Sequence, residues 1–233
     1  MSSLLAIDTS TTLASVALLR DGQILFRESS GVQTHSQMIL PMVQALLAEA
    51  GISLQQCDAI AFGAGPGSFT GVRTACGVAQ GLAFGANLPV VPIVTLQAMA
   101  AASREANGAA DVLTVLDAQM GEVYWAQYRY RDVWQVVIEP SLSAPSAVAP
   151  QGEVLACGNG LASYAAAFVG RPFMSGALTE IMPHAKQVAL LGQQAFAQGR
   201  IVHARDAQPV YLRNKVAFTT AERMAQAAAR TGA

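Results

Sequence analysis

Apolar runs at the start of the chain predict three short strands joined by tight turns. Residues 4–10 read LLAIDTS, residues 13–20 read LASVALLR, and residues 23–30 read QILFRESS. The dipeptide Asp21-Gly22 separates the second run from the third. Asp-Gly between apolar runs indicates a hairpin, because both residues tolerate the left-handed backbone of a two-residue turn. The opening is therefore expected to form three antiparallel strands.

Helices and strands then alternate along the first half of the chain. A helix is predicted to begin at Thr34, its N-cap, and to stop at Gly51. Residues 58–65 form a buried strand that leads into a glycine-rich loop, residues 71–85 a second helix, and residues 88–94 another strand. Three antiparallel strands, helix, strand, helix and strand is the ribonuclease-H-like topology.

The same pattern starts again after residue 110. Residues 111–128 place a strand, an aspartate and a second strand in the order found in residues 3–18, so that Asp8 and Asp117 occupy matching positions. Residues 133–140 supply a third strand. The halves share few identities, so the repeat is one of pattern.

The repeat predicts an α/β protein of two ribonuclease-H-like domains, the architecture of the actin, sugar kinase and heat-shock ATPase superfamily. The N-terminal domain is assigned to residues 1–106 and carries the candidate interface helices. The C-terminal domain is assigned to residues 107–233 and includes a tail beyond Asn214.

The composition indicates a cytoplasmic protein with much buried surface. Hydrophobic residues make up 52% of the 233 residues and charged residues 12%, where roughly 25% charged is usual. No apolar run approaches the ~18 residues of a membrane span, and the first ten residues lack the basic start of a signal peptide. The three cysteines have no metal-ligand spacing and are expected to be reduced.

The charge balance argues against autonomous RNA binding. The chain has 14 basic and 15 acidic residues, a net charge of −1. A protein that grips nucleic acid alone normally shows a basic patch, because phosphate neutralisation supplies much of the affinity. Only the stretch from Arg200 onward is mildly basic.

The most specific local motif is GAGPGSFTGVR, from Gly63 to Arg73. Its glycines allow positive φ and close approach of a neighbour, and the helix start after it presents N–H groups that suit an anion. It is neither a P-loop nor a dinucleotide fingerprint. Two interpretations stay open: a structural or interface turn with a hydroxyl helix cap, or direct phosphate contact. The loop residues concerned are Gly65, Gly67, Ser68 and Thr70.

The two helices of the first half carry unusual faces. Gly77, Gly81 and Gly85 are spaced by four, and each interior glycine costs a helix roughly 1 kcal/mol relative to alanine. The apolar residues of the earlier helix cover a wider arc than they would in a helix with one solvated face. Two methionines within this arc suit a contact surface that can adapt its shape to a partner. We predict a subunit interface, with burial inside the domain as the alternative. The candidate interface residues are His35, Met38, Ile39, Met42, Val43, Leu46, Arg73, Gly77 and Gly81.

Asp8 is the one candidate for phosphate or metal contact. It closes the first strand, where this superfamily places an acid facing nucleotide phosphates and metal. The turn that follows, Thr9-Ser10-Thr11, lacks the usual glycine, so capping of that turn by the carboxylate is the alternative. Residues 157–160 (CGNG) are a later turn that could face a nucleotide.

No catalytic residue and no metal site are predicted. The three histidines, His35, His184 and His203, lack metal-ligand spacing. No Gly-x-Ser-x-Gly elbow is present.

Five segments together resemble the bacterial TsaB (YeaZ) family of tRNA threonylcarbamoyladenosine biosynthesis. They are AIDTSTTLASVALL, THSQMILPMVQALL, GAGPGSFTGVR, LDAQMGEVYWAQY and PVYLRN. They occur in order from residue 6 to residue 214, so the resemblance covers nearly the whole chain.

The resemblance implies a non-catalytic subunit needed to transfer threonylcarbamoyl to N6 of the adenosine next to the anticodon, in tRNAs that read ANN codons. It implies that the chain forms a heterodimer with a TsaD-type catalytic subunit, that a TsaE-type ATPase joins this pair, and that the chain forms a homodimer when alone. It also implies that tRNA is bound through the complex and that no membrane is involved. It implies no cofactor of its own, with ATP at the interface of the complex. The catalytic subunit's His-x-x-x-His metal motif corresponds here to residues 94–100, which contain no histidine.

Three other functions stay open at this point. A stand-alone ATPase or kinase of the same superfamily would need more phosphate-contacting acids than Asp8. A metal-independent peptidase would need a nucleophile. A homodimeric scaffold would fit the composition and the helix faces equally well.

Overall fold

The computed structural model describes residues 2–30 and 35–213. Its first sheet contains five strands in the order β3-β2-β1-β4-β5. β1, β2 and β3 are antiparallel neighbours, whereas β4 and β5 run parallel to β1. This order confirms the predicted ribonuclease-H-like topology. The strands are β1 Leu4–Asp8, β2 Leu13–Arg20, β3 Gln23–Ser30, β4 Ala59–Gly65 and β5 Val90–Val94.

The predicted hairpin joins β2 to β3. Arg20 pairs with Gln23 across a two-residue turn, and the turn residues Asp21 and Gly22 have φ angles of 50° and 77°. Both values lie in the left-handed region that Asp and Gly tolerate at low cost.

Two helices cover one face of this sheet: α1 (His35–Glu49) and α2 (Phe69–Ala86). The predicted N-cap of α1, Thr34, lies outside the described residues. Ser68 is the N-cap of α2 and accepts a hydrogen bond from the N–H of Gly71, as predicted. α1 and α2 bury their inner sides on the apolar side chains of β1, β2 and β4.

A third helix, α3 (Thr95–Asn107), leads to the second half. Its last turn includes residues 104–107, and it ends at Gly108 with φ of +79°. None of the helices in the described part of the chain is long and apolar enough to cross a membrane.

The second sheet contains four strands in the order β8-β7-β6-β9. Asp8 closes β1 opposite Ser15, and Asp117 closes β6 opposite Val123, so the two aspartates are topologically equivalent. Two α/β units of the same pattern are thereby confirmed. The strands are β6 Asp111–Asp117, β7 Val123–Arg131, β8 Val133–Ser143 and β9 Leu155–Cys157, and a short helix, α4 Gly160–Ser163, follows.

A helix from the second half of the chain completes the first sheet. α5 (Ala185–Ala197) packs on the sheet face opposite α1 and α2. Gly192 lets it approach closely, because a Cβ at that position would lie 2.7 Å from the Cβ of Ala61. The N–H of Ala185 donates to the hydroxyl of Ser15 at 2.9 Å. The domain boundary after residue 106 stays a prediction. Although α5 belongs to the second half of the sequence, it packs against the first sheet.

Candidate functional site

The glycine-rich loop is fixed against the turn that follows β1. The N–H of Ser68 donates to the carbonyl of Ser10 at 2.7 Å, and the hydroxyl of Thr9 donates to the carbonyl of Gly71 at 2.7 Å. The N–H of Gly65 donates to the hydroxyl of Thr95 at 3.0 Å. The loop thereby connects β1, α2 and α3.

The glycines of the loop are required by this close contact. A Cβ on Gly71 would lie 1.9 Å from the carbonyl oxygen of Thr9, and one on Gly67 would lie 2.5 Å from that of Ser10. Real Cβ atoms essentially never come that close. Packing alone therefore accounts for the motif, while direct phosphate contact stays a prediction, and Thr70, within α2, is exposed.

Asp8 lies fully buried beneath this loop. Its Oδ1 accepts hydrogen bonds from the N–H and the hydroxyl of Ser10, at 3.0 and 2.8 Å. Its Oδ2 is buried without a partner among the residues described, next to Gly63. Burial raises the pKa of Asp8 from 3.8 to about 6, although the Ser10 hydrogen bonds and the nearby His35 oppose the rise. This geometry supports the turn-capping interpretation of Asp8.

We expect Asp8 to make the stability depend on pH. Because its folded pKa is about 6 and its unfolded pKa about 3.8, its contribution is fully present below pH 3.8 and is lost as the pH rises through 6. The free energy of unfolding of the wild type should fall relative to Asp8→Asn by about 3 kcal/mol between pH 3.5 and 7. Urea titrations of both proteins across that range test this, and a constant difference would contradict it.

A cleft of about 740 Å³ lies between the two halves. Asp117 lines it, held by the phenol of Tyr164, which donates to Oδ1 at 2.9 Å. Asn159, from the CGNG turn, also lines the cleft and accepts from the N–H of Asp117 at 3.0 Å. Asp8, the acid selected from the sequence, does not line it.

The segment 207–213 crosses the edge of this cleft and contacts both halves. The carbonyl of Ala207 accepts from the Gln80 amide at 2.9 Å, in the first half. At the other end, Arg213 donates to Glu122 at 2.6 Å, in the second half. The local sequence pattern does not predict the position of this segment, because its partners lie far away along the chain.

The predicted interface residues of α1 fall into two groups. Ile39, Val43 and Leu46 are buried in the core, and Met42 is only 7% exposed. A charge placed at Met42 would therefore act on the fold itself. The other two residues, His35 and Met38, are half-buried, and Nε2 of His35 lies 3.2 Å from the carbonyl oxygen of Thr12.

The glycines of α2 face outward. A Cβ at Gly77, Gly81 or Gly85 would have no atom within 4 Å apart from the nearby backbone of its own helix and its chain neighbours. Phe84, beside them, is 83% exposed, and Arg73 lies one turn earlier on the same exposed side. We call Arg73, Gly77, Gly81, Phe84 and Gly85 the outer face of α2. Nothing in the described part of the chain uses the close approach that these glycines permit.

Residues suited to metal binding are not grouped in residues 2–30 and 35–213. No three histidine, cysteine, aspartate or glutamate side chains lie close enough together there to hold an ion. Residues 94–100, which the resemblance matches to the catalytic subunit's metal motif, run from the end of β5 into α3 and are largely buried.

Comparisons with known proteins agree with this architecture. The family described as "TsaD: tRNA N6-adenosine threonylcarbamoyltransferase" matches residues 26–230. The chain is 40% identical over 224 residues to the tRNA threonylcarbamoyladenosine biosynthesis protein TsaB of Escherichia coli, covering 92% of this chain and 96% of that protein. It is 39% identical over 227 residues to TsaB of Haemophilus influenzae, covering 92% and 95%.

A solved structure shows the same fold. YeaZ from Pseudomonas aeruginosa superposes with a TM-score of 0.84 at 41% identity, covering 91% of this chain and all of that one. With relatives this similar along nearly their full length, the chain belongs to the TsaB (YeaZ) family of tRNA threonylcarbamoyladenosine biosynthesis proteins.

Proposed function

We propose that this chain is a non-catalytic subunit of the assembly that transfers threonylcarbamoyl to adenosine in tRNA. It pairs through the outer face of α2 with a TsaD-type catalytic subunit, and a TsaE-type ATPase acts on that pair. Alone, it forms a homodimer through α1 and α2. The observation that carries the proposal is the outward stripe of Gly77, Gly81 and Gly85, where a Cβ would enter open space in the described chain.

The energetic reason lies in the helix itself. Each of these glycines costs roughly 1 kcal/mol of helix stability relative to alanine, and no intramolecular contact offsets that cost. A partner helix packed closely against the stripe would offset it through dispersion and burial. The exposed ring of Phe84 would be buried in the same contact.

A catalytic role receives no support from Cys57 or Cys157. Burial raises the pKa of the Cys157 thiol to about 12 and that of Cys57 to about 11, where the neighbouring Asp58 adds to the rise. Since the thiolate is the reactive form, neither cysteine is prepared to act as a nucleophile. The peptidase alternative therefore lacks a candidate residue among these groups.

The cleft is a weak candidate for ATP. Among the described residues, its lining contains one lysine or arginine, Arg213, and that guanidinium is paired with Glu122 at 2.6 Å. A triphosphate needs more free positive charge or a metal-binding acid pair. We therefore place ATP at the interface of the complex, with no cofactor held by this chain alone.

Reconstitution tests the proposed function. Unmodified tRNA, threonylcarbamoyl adenylate, ATP and the TsaD-type and TsaE-type proteins are mixed with and without this chain, and modified adenosine is counted by mass spectrometry. We expect modification only when this chain is present, and none from this chain alone. ATP turnover by the isolated chain, with unchanged modification in its absence, would instead support the stand-alone ATPase.

A further inference from the structure

We propose that Arg73 is the anchor that receives a carboxylate of the catalytic subunit, and that this contact distinguishes the heterodimer from the homodimer. The inference rests on the proposed function and identifies the chemistry that the partner must present. It is carried by the side chains around the first two turns of α2.

The guanidinium of Arg73 is held in place although it is exposed. Its Cζ lies 3.3 Å from the ring centroid of Phe69 and 5.3 Å from that of Tyr211. Its Nε donates to the Tyr211 hydroxyl at 2.7 Å. Cation–π contact and one hydrogen bond therefore fix a side chain that would otherwise sample many rotamers.

Fixing the side chain leaves its best donors unused. Nη1 and Nη2 of Arg73 have no hydrogen-bond partner within residues 2–30 and 35–213, and none of the ion pairs there includes this residue. These two groups form the planar fork that binds a carboxylate through two parallel hydrogen bonds. An ordered arginine flanked by aromatic rings is also the type of residue that dominates binding energy at protein interfaces.

The position of Arg73 indicates that the partner that packs on α2 also binds the Arg73 guanidinium. Arg73, Gly77 and Gly81 are spaced by four and lie on one face of the helix. A partner helix lying along the glycines would pass directly over the guanidinium. The carboxylate is therefore expected on that helix or beside its end.

The charges of α1 and α2 indicate that the carboxylate belongs to a different chain. α2 contains no acidic residue, and Glu49 is the one acid of α1. Glu49 is already paired with Arg27 at 2.6 Å. A second copy meeting this surface through the same helices has no free carboxylate on them to offer, whereas a different subunit can supply one.

A nucleic acid is the less favoured occupant of the same cluster. Exposed Phe69, Tyr211 and Arg73 resemble a stacking platform for bases. A phosphate backbone needs several cations, however, and Arg73 is the only lysine or arginine in α1 or α2. The neighbouring glycines and Phe84 instead suit a flat apolar protein surface.

The test measures two affinities of each variant: that for the TsaD-type subunit and that for a second copy of the same chain. Arg73→Gln should weaken binding to the TsaD-type subunit about 30-fold by calorimetry and change homodimer association by less than about twofold by sedimentation. Arg73→Lys should be intermediate, because it keeps the charge and loses the fork. Arg200→Gln, an exposed arginine beyond α5, changes the net charge equally and should change neither affinity. Thermal melts establish that each variant is folded.

Four results would overturn the assignment. If heterodimer affinity is unchanged in Arg73→Gln while Gly81→Leu abolishes it, the anchor is wrong and the proposed function stands. If the homodimer weakens as much as the heterodimer, the acceptor belongs to a second copy. If only tRNA binding by the assembled complex weakens, the cluster is a nucleic-acid contact. Unchanged binding in Gly81→Leu would refute both the anchor and the proposed placement of the interface.

Discussion

Replacing Gly71 with alanine is expected to lower the free energy of unfolding by at least about 3 kcal/mol. The added Cβ would lie 1.9 Å from the carbonyl oxygen of Thr9, a backbone atom that cannot move without displacing the turn after β1. That displacement would also break the hydrogen bond from the Thr9 hydroxyl to the Gly71 carbonyl. Urea unfolding followed by circular dichroism measures the loss.

Gly77→Ala provides a matched control on the same helix. A Cβ there meets no atom within 4 Å, so only helix propensity changes, and we expect a gain of about 1 kcal/mol. The two substitutions therefore have opposite predicted signs. A small or stabilising effect of Gly71→Ala would show that the loop does not press on the β1 turn as described.

Placing a large side chain on the outer face of α2 should have the largest effect on function. Gly77→Trp is expected to reduce reconstituted tRNA modification to less than about a tenth of the wild-type level, because an indole on the stripe separates the two subunits. The isolated protein should keep its fold, since the position faces open space. Mass spectrometry of modified adenosine and gel filtration with the TsaD-type subunit provide the measurements.

Gln194→Trp is the corresponding control. Gln194 is exposed on α5, on the opposite side of the first sheet, so an indole there should leave both assembly and modification intact. Full modification by Gly77→Trp would place the subunit contact elsewhere on the protein. Equal loss in both variants would indicate a general effect of a surface tryptophan.

Features that depend on neighbouring residues were predictable from the sequence. The Asp21-Gly22 turn and the Ser68 cap follow from backbone preferences that a few residues determine. The equivalence of Asp8 and Asp117 follows from a repeated strand pattern. For these features, interactions among residues that are close together in the sequence decide the structure.

Features that depend on distant partners were not predictable in this way. Arg73 and Tyr211 are 138 positions apart, and nothing in the local pattern around either residue indicates the contact. Asp8 follows an apolar strand, as a ligand-binding acid would, yet its burial depends on how tightly the glycine loop closes over it. The apolar arc of α1 likewise could not reveal that four of its residues pack inward.

The position of α5 has a consequence for synthesis of the protein on the ribosome. The last strand of the first sheet ends at Val94, whereas the helix that covers its second face spans Ala185–Ala197. About 100 further residues must be translated before that face can be covered, which takes on the order of 5 to 20 s at bacterial elongation rates. During that interval the nascent chain presents Leu4, Ala61 and Val91 without their α5 cover. We therefore expect the emerging polypeptide to engage chaperones that bind exposed apolar segments until α5 has left the exit tunnel.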